Sequence, residues 1–289
     1  MTEHRPGDRA DYEYAANISI MFTSTPLLQR PTAAARAGFR AIECWWPFPV
    51  PDPAPEQLTA FTDAVRDAGV RLTGLNFFAG DMPAGERGVA CRPDRTDELT
   101  VSIDHLITIA EATGCRLFNL LYGQYDDRWS VDDQRRTAVT AIGEAAEAVR
   151  GIGGTVLLEP LAAPINGAYP LHSCDDVIEL LDGPLAGRQN IALLFDLFHL
   201  GANGADLIAE AARVAPRIGH VQVADHPGRH EPGTGALPIE ATLQTLWQAG
   251  YRGRIGCEYQ PTGRTEDGLG WLPDGALTEV DHHHDKDGS

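Results

Sequence analysis

Four polar residues each follow an apolar, strand-like run of the sequence, and their side chains are of the types that bind hard metal ions. They are Glu159 after TVLL, Asp196 after IALLF, Gln222 after IGHV and Glu258 after RIGC. Successive members are separated by 37, 26 and 36 positions, the length of one strand, one helix and their loops. Because parallel strands wound one after another point the same way, residues at their carboxyl ends converge on one rim. Three carboxylates there would repel one another without a cation, so we predict that all four residues share a Mg²⁺ or Mn²⁺ ion.

Two of these residues could also move protons. Glu159 and Glu258 belong to the fifth and eighth predicted strands, which we expect to lie roughly opposite each other across a ring of eight. Two carboxylates on opposite sides of a small substrate can remove a proton from one carbon and deliver one to its neighbour. A cation between them would stabilise the intervening enediolate, as isomerisation of an α-hydroxy carbonyl compound requires. A single strand-end glutamate can equally cap a helix or pair with an arginine, so the prediction depends on all four residues together.

Three further side chains are candidates for binding the substrate. His199, in FDLFH, could hold a substrate oxygen, although a loop histidine is often satisfied by the backbone instead. Arg229, in HPGRHEPGTG, and Arg87, in GERG, could each bind a carboxylate with two parallel hydrogen bonds. Glu231 and Glu86 lie close to these arginines in sequence and offer each a purely structural ion pair as the alternative.

The elements that must position these residues repeat as apolar strand, loop and helical pattern. Several helical stretches end in glycine before the next strand, as helix carboxyl termini often do. Strands that are apolar throughout are typical of parallel strands buried on both faces. The strand candidates are NISIMF (17–22), AIECW (41–45), VRLTGLNFF (70–78), RLFNLLY (116–122), TVLLE (155–159), IALLFD (191–196), IGHVQVA (218–224) and RIGCE (254–258).

Eight such strands predict a single (β/α)₈ TIM barrel of the α/β class over residues 15–272. A polar amino-terminal extension (1–14) would precede it and a polar carboxyl-terminal tail (273–289) would follow it. A doubly wound open sheet is the alternative, but no GxGxxG turn follows the first strand. The last helix is poorly defined around TEDGLGWL, which makes closure of the barrel the weakest part of the prediction.

Composition excludes several classes of function. The net charge of −18 argues against a nucleic-acid partner, and no apolar run reaches the roughly 20 residues of a membrane span. The five cysteines are scattered without a CxxC pair and the first residues lack an apolar signal core, so we expect a reducing cytoplasm. The only lysine is Lys286, outside the predicted barrel, which removes Schiff-base chemistry at a strand end.

From Asn17 to Leu272 the chain resembles the hydroxypyruvate isomerases, a branch of the xylose isomerase-like barrels. The motifs that carry the resemblance are NISIMFT, GFRAIE, AGDMPAGERGVAC, LLEP, FDLFH, IGHVQVADHPGRHEPGTG and GCEYQPTGRTEDGLGWL. The resemblance implies the same four metal ligands and the same pair of glutamates as proton donor and acceptor. It further implies interconversion of hydroxypyruvate and 2-hydroxy-3-oxopropanoate (tartronate semialdehyde).

Details of the resemblance separate the branches of this superfamily. Similar ketose 3-epimerases carry histidine where this chain has Gln222, and the endonuclease IV branch needs several histidines that are not present here. The chain departs from its relatives in LGANGAD, at Ala236 and in LAAPINGAYPLHS, which all border the expected pocket. Isomerisation of another 2-oxo acid such as 2-oxotetronate, ketose 3-epimerisation and a non-catalytic sugar-acid binding barrel therefore stay open. We expect a small 2-oxo acid or ketose as the partner, no nucleic acid and no membrane, and a homo-oligomer is compatible with the sequence.

Overall fold

The computed structural model describes residues 11–277. Most of the predicted amino-terminal extension and carboxyl-terminal tail lies outside these residues, including the three consecutive histidines His282, His283 and His284 and the single lysine Lys286. Among residues 11–277, no helix combines the length and apolar composition that crossing a membrane requires.

The described chain forms a closed barrel of eight parallel strands, which confirms the predicted fold class. The strands are β1 (Tyr14–Asn17), β2 (Ala41–Cys44), β3 (Arg71–Asn76), β4 (Leu117–Asn119), β5 (Thr155–Leu158), β6 (Ile191–Asp196), β7 (Ile218–Val223) and β8 (Ile255–Cys257). The helices are α1 (Arg30–Arg36), α2 (Pro55–Asp67), α3 (Thr96–Thr113), α4 (Val131–Arg150), α5 (Cys174–Asp182), α6 (Leu197–Ala202), α7 (Leu207–Val214) and α8 (Ile239–Gln248).

Local signals in the sequence account for the ends of several helices. The Ser130 hydroxyl accepts a hydrogen bond from the Asp133 backbone N–H and caps the first turn of α4. The chain leaves α3 at Gly114, whose φ of 78° lies in the left-handed region that glycine adopts at little cost. Buried apolar side chains of the strands and of the inner helix faces form one continuous core.

The structure differs from the predicted elements in three places. The first strand ends at Asn17, and the apolar run after it forms a turn in which the Met21 N–H donates to the Asn17 carbonyl. Helix α6 was not predicted and begins directly after Asp196. A short 3₁₀ turn (Thr265–Gly268) stands where the last helix was undefined, and the barrel still closes because β8 pairs with β1.

Strand register sets the positions of the predicted site residues. In the pairing of β6 with β7, Asp196 stands beside Gln222. Glu159 and Glu258 directly follow β5 and β8, which lie three strands apart around the ring of eight. Residues from different thirds of the chain therefore meet at the carboxyl-terminal end of the barrel. The five cysteines are all buried and unpaired.

Candidate active site

A cavity of about 560 Å³ opens at the carboxyl-terminal end of the barrel. The five residues predicted to act as proton carriers or substrate contacts all line it: Glu159, Glu258, His199, Arg229 and Arg87. Bulky side chains that follow β2 form one wall, namely Trp45, Trp46 and Phe48. The ring of Trp46 packs edge-on against that of Phe48, with centroids 5.4 Å apart.

Glu159 is held by one oxygen and leaves the other without a partner. The Asn119 side-chain amide on β4 donates to Glu159 Oε2 at 2.7 Å. Oε1 is buried, has no hydrogen-bond partner within residues 11–277, and lies 3.7 Å from His199 Nε2. Burial raises the pKa of Glu159 well above its usual value, and the neighbouring carboxylates of Glu258 and Asp196 raise it further.

Asp196 joins β6 to α6 and fixes the start of that helix. Its Oδ1 accepts from the His199 backbone N–H at 2.8 Å, which makes Asp196 the helix cap. Its Oδ2 is buried, and none of the residues that the structure describes hydrogen bonds to it. Burial raises the pKa of this carboxyl group, and the nearby Arg229 guanidinium opposes the shift.

The hydrogen bonds of His199 show which of its ring nitrogens carries the proton. Nδ1 accepts from the Ala162 backbone N–H at 3.0 Å, so the proton of the neutral ring is on Nε2. Burial holds the pKa of His199 well below its usual value, and the charges of Arg229 and Arg87 lower it further. Glu159, Asp196 and His199 each offer one atom within 4.8 Å of the others. Neither ring nitrogen of His199 is free to bind a cation, because Nδ1 accepts from Ala162 and Nε2 carries the proton. His199 therefore offers the cavity a hydrogen-bond donor.

Gln222 and Glu258 are joined at the ends of β7 and β8. Gln222 Nε2 donates to Glu258 Oε2 at 2.7 Å, and Asn17 Nδ2 donates to the same oxygen at 2.8 Å. The Arg229 guanidinium contacts Glu258 Oε1. Both oxygens of Glu258 are thus engaged, whereas Gln222 Oε1 is buried and has no hydrogen-bond partner in the described part of the chain. Burial raises the pKa of Glu258 to about 7 despite the opposing charge of Arg229.

The donor set of the site fits a hard divalent cation. Glu159 Oε1, Asp196 Oδ2 and Gln222 Oε1 are all buried, and none has a hydrogen-bond partner among the described residues. Unpartnered buried oxygens are costly unless another group satisfies them. Two carboxylates and an amide carbonyl are the ligand types that Mg²⁺ and Mn²⁺ prefer. Glu258 differs from the other three predicted ligands because Arg229 already neutralises it.

The two arginines predicted to bind substrate have different partners, and a third arginine, Arg30, also lines the cavity. Arg229 pairs with Glu258, and its guanidinium lies 5.2 Å from the centre of the Phe198 ring. Its backbone φ of 57° is rare for a residue other than glycine. Arg87 donates to neutral acceptors, namely Asn166 Oδ1 and the carbonyls of Met82 and Glu86. In the part of the chain that the structure describes, no carboxylate pairs with Arg87.

Several polar residues beneath the cavity were not singled out by sequence reasoning. They are Asn17 on β1, Glu43 on β2 and Asn119 on β4, all of which are at most 5% exposed. Each hydrogen bonds or contacts a predicted site residue. The available signal was a polar residue inside an otherwise apolar strand, as in AIEC and LFN. Taken alone, that signal does not say which residue the side chain would meet.

Comparison with known proteins agrees with this architecture. Residues 31–275 match a family model described as xylose isomerase-like TIM barrel. A Streptomyces coelicolor protein named "Putative hydroxypyruvate isomerase" is 42% identical over 273 residues, which cover 92% of this chain and 98% of that protein. A 2-oxo-tetronate isomerase of Pectobacterium atrosepticum is 33% identical over 259 residues, covering 90% of this chain and 96% of that protein.

A solved structure adds a match in three dimensions. It is described as AP endonuclease, family 2 from Brucella melitensis, and it superposes with a TM-score of 0.81 at 30% identity. The superposition covers 90% of this chain and 98% of that one. The chain therefore belongs to the xylose isomerase-like TIM barrel family and, within it, to the isomerases related to hydroxypyruvate isomerase.

Proposed function

We propose that this chain is a metal-dependent isomerase that interconverts hydroxypyruvate and 2-hydroxy-3-oxopropanoate (tartronate semialdehyde). The observation that carries the proposal is that Glu159 Oε1, Asp196 Oδ2 and Gln222 Oε1 are buried without a hydrogen-bond partner among the described residues, beside a cavity lined by the catalytic candidates. The proposed ligands of Mg²⁺ or Mn²⁺ are Glu159, Asp196 and Gln222, together with Glu258, which would have to exchange its contact with Arg229 for the cation. Such a cation supplies Lewis-acid stabilisation of negative charge that develops on the substrate oxygens.

The two glutamates would exchange protons with the substrate carbons. One carboxylate removes a proton from C3 and the other delivers a proton to C2, while the hydroxyl proton passes from the oxygen on C3 to the oxygen on C2. Burial raises the pKa of Glu258 to about 7 in the metal-free protein, and a bound cation would lower it again and favour the carboxylate that accepts a proton. The Nε2–H of His199 would hold a substrate oxygen in place by a hydrogen bond.

The charges of the cavity support an acidic substrate. The Arg87 guanidinium has five N–H donors, of which the hydrogen bonds to neighbouring residues occupy Nε and Nη1. The donors on Nη2 therefore remain for a substrate carboxylate. Burial and the nearby Arg229 charge both lower the pKa of Arg87, so an anion bound between these two cations would be stabilised.

The remaining features of the proposal concern substrate size, partners and location. The name of the 2-oxo-tetronate isomerase relative favours a longer 2-oxo acid as the second candidate, and a cavity of about 560 Å³ has room for it. Ketose 3-epimerisation and non-catalytic binding have less support, since neither explains both the arginines and the paired glutamates.

We place the isomerase domain at residues 15–272, without nucleic-acid or membrane partners. The unpaired cysteines favour the cytoplasm.

An activity screen tests the proposal. Purified protein is incubated with hydroxypyruvate, 2-oxotetronate or a neutral ketose, each with Mg²⁺, Mn²⁺ or EDTA, and the product is identified by NMR. We expect turnover of a 2-oxo acid that EDTA abolishes and Mn²⁺ or Mg²⁺ restores. Turnover that persists at full rate in EDTA would refute metal dependence, and activity confined to neutral ketoses would refute the proposed substrate class.

A further inference from the structure

Glu43 is a buried carboxylate that lies below the cavity rather than in its lining. It belongs to β2, is 2% exposed, and accepts from Gln222 Nε2 through Oε2 at 2.9 Å. The Nε2 atom of His220, also on β7, contacts Glu43 Oε1. The interior of such a barrel is usually filled by branched apolar side chains. A charged residue there is costly unless its partners compensate for its loss of water.

The surrounding strands leave room for this carboxylate. On β8, a methyl group at Gly256 would overlap Glu43 Oε2. On β3, a methyl group at Gly74 would lie 3.2 Å from Glu43 Cγ, which is tighter than ordinary packing. Glycines on two different strands therefore create the space in which Glu43 reaches β7. The packing of the barrel interior therefore holds the Glu43 carboxylate against Gln222.

The contact with Glu43 decides which way the Gln222 amide points. A carboxylate has only acceptor atoms, so it can accept from the amide nitrogen but not pair with the amide oxygen. Gln222 Nε2 donates to Glu43 Oε2 and to Glu258 Oε2. The opposite orientation would place the amide oxygen against two carboxylates. Gln222 Oε1 is therefore turned away from both, and it is buried without a hydrogen-bond partner among the described residues.

We propose that Glu43 is a positioning residue that orients the Gln222 amide, so that its oxygen is presented to the divalent cation. The proposal rests on the proposed role of Gln222 as a ligand. Residues that hold metal ligands in place typically change metal affinity 10- to 100-fold when they are replaced. Glu43 would act before substrate binds, so its effect should be visible in metal binding alone.

The test measures Mn²⁺ affinity without substrate, by titration calorimetry of metal-free protein, for Glu43→Gln, Gln222→Ala and the double variant. Glutamine at position 43 can donate as well as accept, so it no longer enforces one orientation of the Gln222 amide. We expect each single variant to bind Mn²⁺ about 10- to 100-fold more weakly. Because Glu43 acts through Gln222, the double variant should be no weaker than Gln222→Ala alone.

Two controls separate positioning from loss of fold or charge. Glu231→Gln makes the same change at a carboxylate that is 5% exposed and accepts from the Thr262 N–H instead, and it should keep the normal affinity. Glu43→Asp keeps the charge but withdraws the carboxylate from Gln222, and it should weaken Mn²⁺ binding as Glu43→Gln does. If Glu43→Gln does not fold, as judged by the melting temperature of the metal-free protein, Glu43→Asp provides the test.

The outcomes distinguish this inference from the proposed function. If Gln222→Ala leaves Mn²⁺ affinity unchanged, Gln222 is not a ligand, and both proposals for it fail. If Gln222→Ala weakens binding but a folded Glu43→Gln or Glu43→Asp does not, only the positioning role of Glu43 is refuted. Additive losses in the double variant would also refute it, because Glu43 would then act through its charge and not through Gln222.

Discussion

Replacing Arg87 with leucine should impair the use of a 2-oxo acid far more than the use of an uncharged ketose of the same length. The structure leaves the Nη2 donors of Arg87 without a partner among residues 11–277, while its other donors bind neutral acceptors. A hydrogen bond that involves a charged group contributes about 1.5–3 kcal/mol. Loss of that contribution corresponds to a decrease of about 10- to 150-fold in kcat/KM for the acid.

The comparison of two substrates removes effects that do not depend on the substrate's charge. Leucine at position 87 also leaves Asn166 Oδ1 without its donor, and any resulting movement of the loops would affect both substrates. The assay therefore compares kcat/KM for hydroxypyruvate with turnover of, or competitive inhibition by, dihydroxyacetone, in which CH₂OH replaces the carboxylate. Arg128→Leu is the matched control, because this exposed arginine pairs with Asp94 and Asp126 and does not line the cavity.

Arg229 is the less selective probe because it pairs with Glu258. Arg229→Leu would remove the charge that opposes protonation of Glu258, so it should impair both substrates. Equal losses on hydroxypyruvate and dihydroxyacetone in Arg87→Leu would refute the role of Arg87 in binding a carboxylate. The same result would move the proposed substrate towards neutral sugars.

Three further predictions concern the proposed ligands. Glu258→Gln should lower kcat about 10²-fold or more while the fold survives by circular dichroism, and near-normal turnover would remove Glu258 from the mechanism. Gln222→His should shift metal preference from Mg²⁺ and Mn²⁺ towards Zn²⁺ or Co²⁺ in competition titrations, because imidazole is a softer ligand; unchanged preference would contradict its role. Burial raises the pKa of Glu258 to about 7 in the metal-free protein, so folding favours the protonated side chain. The resulting stabilisation of the fold is fully present below the pKa of the unfolded chain and is lost as pH rises through about 7. A bound cation needs the ionised carboxylates, so Mn²⁺ should raise the Tm more at pH 8 than at pH 5, and the reverse order would count against this coupling.

The sequence alone predicts the barrel because its signals are local and repeat. Apolar strands, helical patterns and glycines at helix ends recur along the chain, and successive parallel strands can close only in a few ways. The first strand was misplaced because it was identified, like the others, from an apolar run alone. An apolar run such as NISIMF is compatible with a strand or with a buried turn, and Ile18 and Met21 are fully buried in a turn.

The meeting of the four predicted ligands at one rim also follows from the sequence, because strands of equal direction place their ends together. The partners of those ligands do not follow from it. Asn17 reaches Glu258 across 241 positions, and Glu43 reaches Gln222 across 179. Closure of the barrel pairs β1 with β8 and places Glu43 of β2 against Gln222 of β7. These contacts therefore depend on the tertiary structure.

The partners of Arg87 and Arg229 also could not be read from the sequence. Sequence proximity suggested Glu86 for Arg87 and Glu231 for Arg229, but Glu86 pairs with Arg95 and Glu231 accepts from Thr262. Side chains close in sequence often point in different directions, and an ion pair depends on distance in space. The residue types and their strand-end spacing therefore determined which chemistry is available. The folded barrel alone decided which charged groups pair with one another and which buried oxygens have no partner among residues 11–277.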